Sequence, residues 1–351
     1  MPNPMRGRST RPTLDAIAKR TGFAKASVGY ILRGQTAAFA PATVRTVQRA
    51  AEELGYRPNV AARAMSTHRF GQVGLLLSPG VRRSLVGHDL LIALGERLAA
   101  HRQSLTVSVC DDARLTDPAY VPNILRELMV DGLLCAYSYQ VPPAMVALLD
   151  RQRLPCIWLN VRRPTDAVYP DDHAAAQAAT ERLLRLGHRD IAYLDYDIGV
   201  ATPEIDHHYS MADRLAGYAA AMTAAGLAPR RIAANDRIAD VDRLAACRAW
   251  MRAPRRPTAV LAYGVVTARS VLAAALAEGL RLPEDLSLVT FAGEPLVDLG
   301  TAVETMVHDD RDLAAQTVEL LQQRIADPLV AVASRAVPMR LHAGGSIAPH
   351  G

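Results

Sequence analysis

The chain has 351 residues, half of them hydrophobic and 21% charged, enough apolar matter for a large core and too much for bulk disorder. The formal net charge of +5 is unevenly spread. Residues 1–70 hold twelve Arg/Lys, including the only two lysines, Lys19 and Lys25, against Asp15, Glu52 and Glu53; +9 therefore falls in a basic head and −4 in the body behind it, the pattern of a nucleic-acid binder with a separate second domain.

Residues 1–12 read as a disordered basic arm, with no apolar region of the kind a secretory signal needs. Thr13 suits an N-cap, and Asp15 suits the first turn of a short helix over 14–20 whose apolar stripe is Leu14, Ile17 and Ala18. Thr21-Gly22-Phe23 is a tight turn. A second helix over 24–32 turns Val28, Ile31 and Leu32 inward and stops at Gly34. Pro41 opens a third helix that runs to Leu54, with Gly55 at its end and Val44, Val47, Ala51 and Leu54 inward. Two short helices across a three-residue turn, with a supporting third, predict a helix-turn-helix domain over 1–58. Lys25, Ala26, Gly29 and Tyr30 fall opposite the apolar stripe of the second helix, a small polar face suited to a major groove. Asn59 then caps the Ala-rich stretch 60–65, within a hinge over 59–69. At about two turns it is too short to hold as a helix by itself, so it is expected to fold against DNA or a second copy of itself.

TLDAIAKRTGFAKASVGYILRG and VQRAAEELGYRPNVAARAM, in this order and spacing, resemble the lactose-repressor/galactose-repressor (LacI/GalR) family of transcriptional regulators. The resemblance implies that Lys25, Ala26 and Tyr30 read the major groove, with Thr13 also at the DNA, and that Ser27, Tyr56 and Asn59 contact phosphates. It places Ala62 and Met65 in the minor groove, Met65 as the wedge that kinks the duplex. This sequence departs from the family at Ala24 and Ala40, where Ser usually caps the second and third helices. Each change costs about 1 kcal/mol. It departs again at Gly29-Tyr30, where Ser-Arg is usual; a tyrosine cannot make arginine's bidentate guanine contact, so the operator is expected to differ.

From Gln72 onward, apolar runs suited to buried parallel strands (73–77, 105–110, 132–137, 156–160, 191–196, 259–263, 286–291) alternate with helical stretches at 85–101, 121–129, 143–151, 211–225, 241–251 and 267–278. Seven such strands are better shared between two lobes than forced into one sheet, with a ligand cleft where strand ends meet. DAVYPDDHAAAQAATERLLRLGHRDIAYL, DRLAGYAAAM and GLRLPEDLSLVTF resemble the same family's effector domain, similar to periplasmic sugar-binding proteins. The expected fold class is therefore an N-terminal all-α helix-turn-helix domain followed by a two-lobed α/β effector domain over 70–351. The resemblance implies three crossings between lobes, near 170, 303 and 328. Lobe 1 then spans about 70–169 and 304–327, and lobe 2 about 170–303 and 328–345.

By the same resemblance Arg214 is the ligand-clamping arginine and Ser210 a polar contact four residues earlier, with Arg237, Tyr263 and Glu294 completing the effector set. Arg214 as a structural ion pair is the alternative. The family's usual hydroxyl-reading pairs are replaced by Gly264-Val265 and Ala292-Gly293. This favours an anionic metabolite over a plain sugar, unless Glu294, Asp171 or Asp172 restores an acceptor. Asp171-Asp172 reads as a solvated loop sooner than a cation site, and His188 as a helix C-terminal cap. The four cysteines, Cys110, Cys135, Cys156 and Cys247, form no CxxC or Cys/His cluster and read as buried reduced thiols; no metal or cofactor is expected. The histidines, among them His88, His173, His207, His208 and His308, lack HExxH spacing, and GxSxG, GxxxxGK[ST] and GxGxxG are absent, so no catalytic set supports an enzyme. A ligand-binding protein without a DNA role would lack the basic head. The reading that remains is a cytoplasmic, homodimeric repressor, free of the membrane, that binds a palindromic operator under the control of a sugar-like or anionic effector.

Overall fold

The computed structural model describes residues 12–57, 69–80, 84, 86–111, 114, 120, 122, 130–138, 141, 143–196, 208–232 and 238–351. The chain divides into two compact units, Met1–Phe70 and Gly71–Gly351. In the first, α1 (Leu14–Thr21) starts where Thr13 Oγ1 accepts from the Ala16 amide and ends at Gly22, whose φ of +72° is open to glycine at little cost. Helices α2 (Lys25–Leu32) and α3 (Pro41–Glu53) begin at Ala24 and Ala40 with no side-chain cap, though Pro41 presets the first turn of α3. Ile17, Val28, Ile31, Val47, Ala50 and Ala51 close the core of this small domain. The expected hinge, with Asn59, Ala62 and Met65, lies outside the described residues apart from residue 69, as do most of the expected helix over 121–129 and Arg237.

The second unit holds two six-stranded sheets. The first takes its strands in the order β13 (Arg335–Val337), β5 (Ala167–Pro170), β4 (Cys156–Leu159), β3 (Gly132–Cys135), β1 (Gln72–Leu77) and β2 (Ser104–Val109), parallel throughout. In the second the order is β14 (Met339–His342), β12 (Glu304–His308), β9 (Ser287–Ala292), β8 (Ala259–Ala262), β6 (Ile191–Leu194) and β7 (Arg230–Ile232), parallel except for β14. Helices α4 (His88–Ala100) and α5 (Pro143–Gln152) accompany the first sheet. Helices α6 (Asp172–Arg185), α7 (Tyr209–Ala224), α8 (Arg243–Met251) and α9 (Val265–Glu278) accompany the second. Strands β3, β4, β6 and β8 are buried at every residue because helices cover both faces, which is why they read as unbroken apolar runs. The run 105–110 departs from this: β2 is an edge strand with Val107 and Val109 more than half exposed, since a strand at a sheet margin lacks a neighbour on one side.

The chain passes between sheets at Asp171, Asp309 and Pro338. The second and third passages fall later than the expected 303 and 328. Glu304–His308 pairs with Ser287–Ala292 and so stays in the second sheet, while α10 (Asp310–Ala326) and β13 both return to the first. Short strands such as β7, β12, β13 and β14 did not stand out in sequence, because their exposed or mixed residues break the apolar run. Among the described residues, no helix is long and apolar enough to cross a membrane.

Candidate functional site

Two regions gather the residues singled out above. On the head, α2 displays Lys25 and Ala26 at its exposed start and Tyr30, 48% exposed, one turn on, while Ser27 is half-buried. Lys25 Nζ meets Asp15 at 2.9 Å, but both side chains are solvated, so the pair is weak and its lysine available to another anion. Tyr56 packs its ring partly against the head core, and burial raises its pKa. One feature was missed in sequence. The Arg33 guanidinium, exposed just past α2, lies 5.0 Å from the centre of the Tyr30 ring. It covers Gly29, where a Cβ would stand 3.1 Å from Arg33 Nη1, so Gly29 is buried rather than part of the open face. A glycine four residues after the basic residue that opens α2, and four before an arginine, was the available signal.

The second region lies at the seam of the two sheets, where α7 begins. His208 caps α7: its Nδ1 accepts from the Ser210 amide at 3.3 Å and stands 2.7 Å from Ser210 Oγ, while Nε2 is 3.0 Å from the carbonyl of Asn160 in the loop after β4. Ser210 Oγ is in turn 2.9 Å from the Tyr263 hydroxyl. One orientation satisfies every member: Tyr263 donates to Ser210, Ser210 donates to His208 Nδ1, and His208 Nε2–H donates to Asn160. This chain requires a neutral imidazole, and burial lowers the His208 pKa to about 4. Burial likewise raises Tyr263 to about 12. Tyr209 donates to the carbonyl of Pro170 at 3.0 Å and stacks edge-on against Tyr169, so the start of α7 is tied to the other lobe by main-chain and aromatic contacts together.

Beneath this chain, Arg214 Nε donates to Asp172 Oδ1 at 2.6 Å and Nη1 to the Tyr263 carbonyl, with the guanidinium between the rings of Tyr263 and Phe291. Burial opposes its charge, but Asp172 more than offsets this and holds the guanidinium firmly protonated. Asp172 is 1% exposed, and Asp171 Oδ1 accepts from the Ala174 amide at the start of α6. The pair is thus neither a solvated loop nor a cation site but one cap and one buried counter-ion. Ser210, Arg214 and Tyr263 therefore come together as expected. Glu294 sits exposed in the turn after β9 and, among the described residues, shares no hydrogen bond with them. His188 is not simply a helix cap: its ring bridges Thr258 Oγ1 and the Ala348 carbonyl and stacks on His350, fastening the C-terminal segment to the second lobe. The sequence missed the roles of His208 and Asn160, and Asp172, expected as a possible acceptor for ligand hydroxyls, is instead the partner of Arg214. The adjacency of two histidines to Ser210 at a helix start was the one hint.

Comparison with known proteins agrees with this architecture. Residues 180–347 match the periplasmic binding protein-like domain model. The HTH-type transcriptional repressor PurR of Escherichia coli is 25% identical over 321 residues, covering 90% of this chain and 91% of that protein. Its counterpart from Vibrio campbellii is 25% identical over 324 residues, covering 90% and 92%. Among solved structures, the Lac repressor dimer bound to operator and the anti-inducer ONPF superposes with a TM-score of 0.72 at 22% identity, over 96% of this chain and 99% of that one. The complex of the transcriptional regulator CelR with cellobiose gives 0.60 at 23% identity, over 96% and 100%. A small helical head and a two-sheet body crossed three times make the chain similar, over nine-tenths of its length, to these HTH-type repressors, and its fold is that of the Lac repressor.

Proposed function

We propose that this regulator represses transcription by binding, as a homodimer, a palindromic operator in the cytoplasm, and that a small molecule at the seam of the two sheets sets its affinity for DNA. The observation that carries the DNA reading is the exposed face of α2, where the head core beneath holds Lys25, Ala26, Tyr30 and the stacked Arg33 toward solvent. Arg33 joins Thr13, Lys25, Ala26, Ser27, Tyr30 and Tyr56 as a DNA contact. Asn59, Ala62 and Met65 keep the hinge roles that the resemblance implies. Two-fold protein symmetry selects a two-fold site. Footprinting on selected operators tests this: paired half-sites are expected, and one unpaired half-site per bound chain would sink it.

For the effector, the matched charge of Arg214 and Asp172 changes the expectation. An arginine already neutralised by a buried carboxylate draws no net anion, so the seam favours a neutral, hydroxyl-bearing ligand, with Ser210 and Tyr263 as exchangeable partners. Arg237, which lies outside the described residues, and Glu294 remain candidate contacts that the resemblance implies. The ligand acts by favouring one closure angle of the lobes, which shifts the DNA-competent population. Calorimetric titration with neutral sugars beside their phosphorylated or acid forms decides the matter. Preference for the charged form would restore the anionic reading.

A further inference from the structure

Cys135 and Cys156 are 21 residues apart, yet their Sγ atoms stand 3.1 Å from each other. The parallel register brings this about. Leu133 lies opposite Cys156 and Cys135 opposite Trp158, so the two cysteines share one face of neighbouring strands two positions apart, and their side chains lean together. A disulfide needs about 2.0 Å between sulfurs, so closure draws the two sulfurs about 1 Å nearer and, because the pair is diagonal across the strands, shifts the backbone of β3 and β4 locally. The pair is not sealed. Cys156 lines a cavity of about 280 Å³ between α5, the loop after β4 and the end of α10, together with Asp150, Arg153, Trp158 and Arg163. The Arg163 guanidinium lies 4.8 Å from the centre of the Trp158 ring, a cation on the wall of the cavity that Cys156 shares. Cys135 lies behind, fully buried.

We propose that Cys135 and Cys156 form a peroxide-oxidisable dithiol, with Cys156 as the attacking sulfur and Cys135 as the resolving one. A peroxide entering the cavity meets Cys156 first. Its thiol gives up its proton and the sulfur attacks one peroxide oxygen; the S–O bond forms, the O–O bond breaks, and the departing hydroxide takes up that proton and leaves as water, giving a Cys156 sulfenic acid. The Cys135 sulfur then attacks Cys156 Sγ; the S–S bond forms, the S–O bond breaks, and the hydroxyl leaves as water with the Cys135 proton. Two thiols are oxidised by two electrons and one peroxide is reduced to two waters. Burial holds the Cys135 thiol well up, which suits a sulfur that stays protonated until its neighbour is activated. The bridge would lock β3 to β4 in the middle of the first sheet, and the loop after β4 carries Asn160, which holds His208 at the seam.

The test uses the full-length reduced protein. It is treated with hydrogen peroxide, alkylated under denaturing, non-reducing conditions, and analysed by intact mass and peptide mapping. Expected is a loss of about 2 Da, with the Cys135 and Cys156 peptides joined, Cys110 and Cys247 alkylated, and full reversal by dithiothreitol. In Cys135→Ser no bridge forms and dimedone labels Cys156. Four alkylated thiols after treatment, a bridge through Cys110, or Cys156 oxidised alone in the wild-type protein would each overturn the proposal.

Discussion

The two functional regions are built in opposite ways. On α2 the side chains proposed to meet DNA are exposed and nearly idle: Lys25 holds a solvated partner, and the Tyr30 ring lies against Arg33. At the seam, Asp172, Arg214, Tyr263, Ser210 and His208 satisfy one another before any ligand arrives. A surface that reads a long, highly charged polymer can leave its groups to water, because the partner brings both charge and area. A site that discriminates a small molecule in a buried place has to keep its polar groups paired while empty, since an unpaired one is costly.

The largest expected effect tests the buried side. Asp172→Ala leaves the Arg214 guanidinium, only 15% exposed, without its counter-ion, and should destabilise the body by about 3–5 kcal/mol in urea unfolding. The double variant Asp172→Leu/Arg214→Met should recover most of that loss. If the single change costs no more than a surface substitution, the seam is not the closed network described.

The next concerns pH. His208 is neutral in the folded protein with a pKa near 4, against about 6.5 unfolded, so the unfolded chain binds the extra proton. Its contribution is complete above pH 6.5 and is lost as pH falls toward 4, by roughly 3 kcal/mol. Stability measured across that window should fall less steeply in His208→Gln. Parallel curves for the two proteins would remove His208 from the chain.

On the exposed side the effects should be smaller and confined to DNA. Arg33→Ala should weaken operator binding by about 1–2 kcal/mol with unchanged folding, and Tyr30→Arg should shift the selected consensus toward a guanine at one symmetric position. Identical selected consensus for Tyr30→Arg and wild type would deny Tyr30 a base-reading role. The smallest change is structural: Ala40→Ser supplies the missing cap of α3 and should stabilise the head by about 1 kcal/mol in thermal unfolding, with DNA preference unaltered.

Local chemistry by itself determined the head. Thr13, Gly22 and Pro41 mark helix ends through capping, left-handed backbone and a preset φ, all effects that act within a few residues. The fully buried strands were legible for a similar reason, since burial on both faces leaves an unbroken apolar run. Only the tertiary structure decided the rest. Whether Arg214 is free or paired depends on Asp172, 42 residues away, and the Cys135–Cys156 contact on the register of two strands. The place of β12 depends on its hydrogen bonds to β9. Ion pairing, register and strand pairing are fixed by distances between segments remote in sequence, and the spacing of residues along the chain carries no information about those distances.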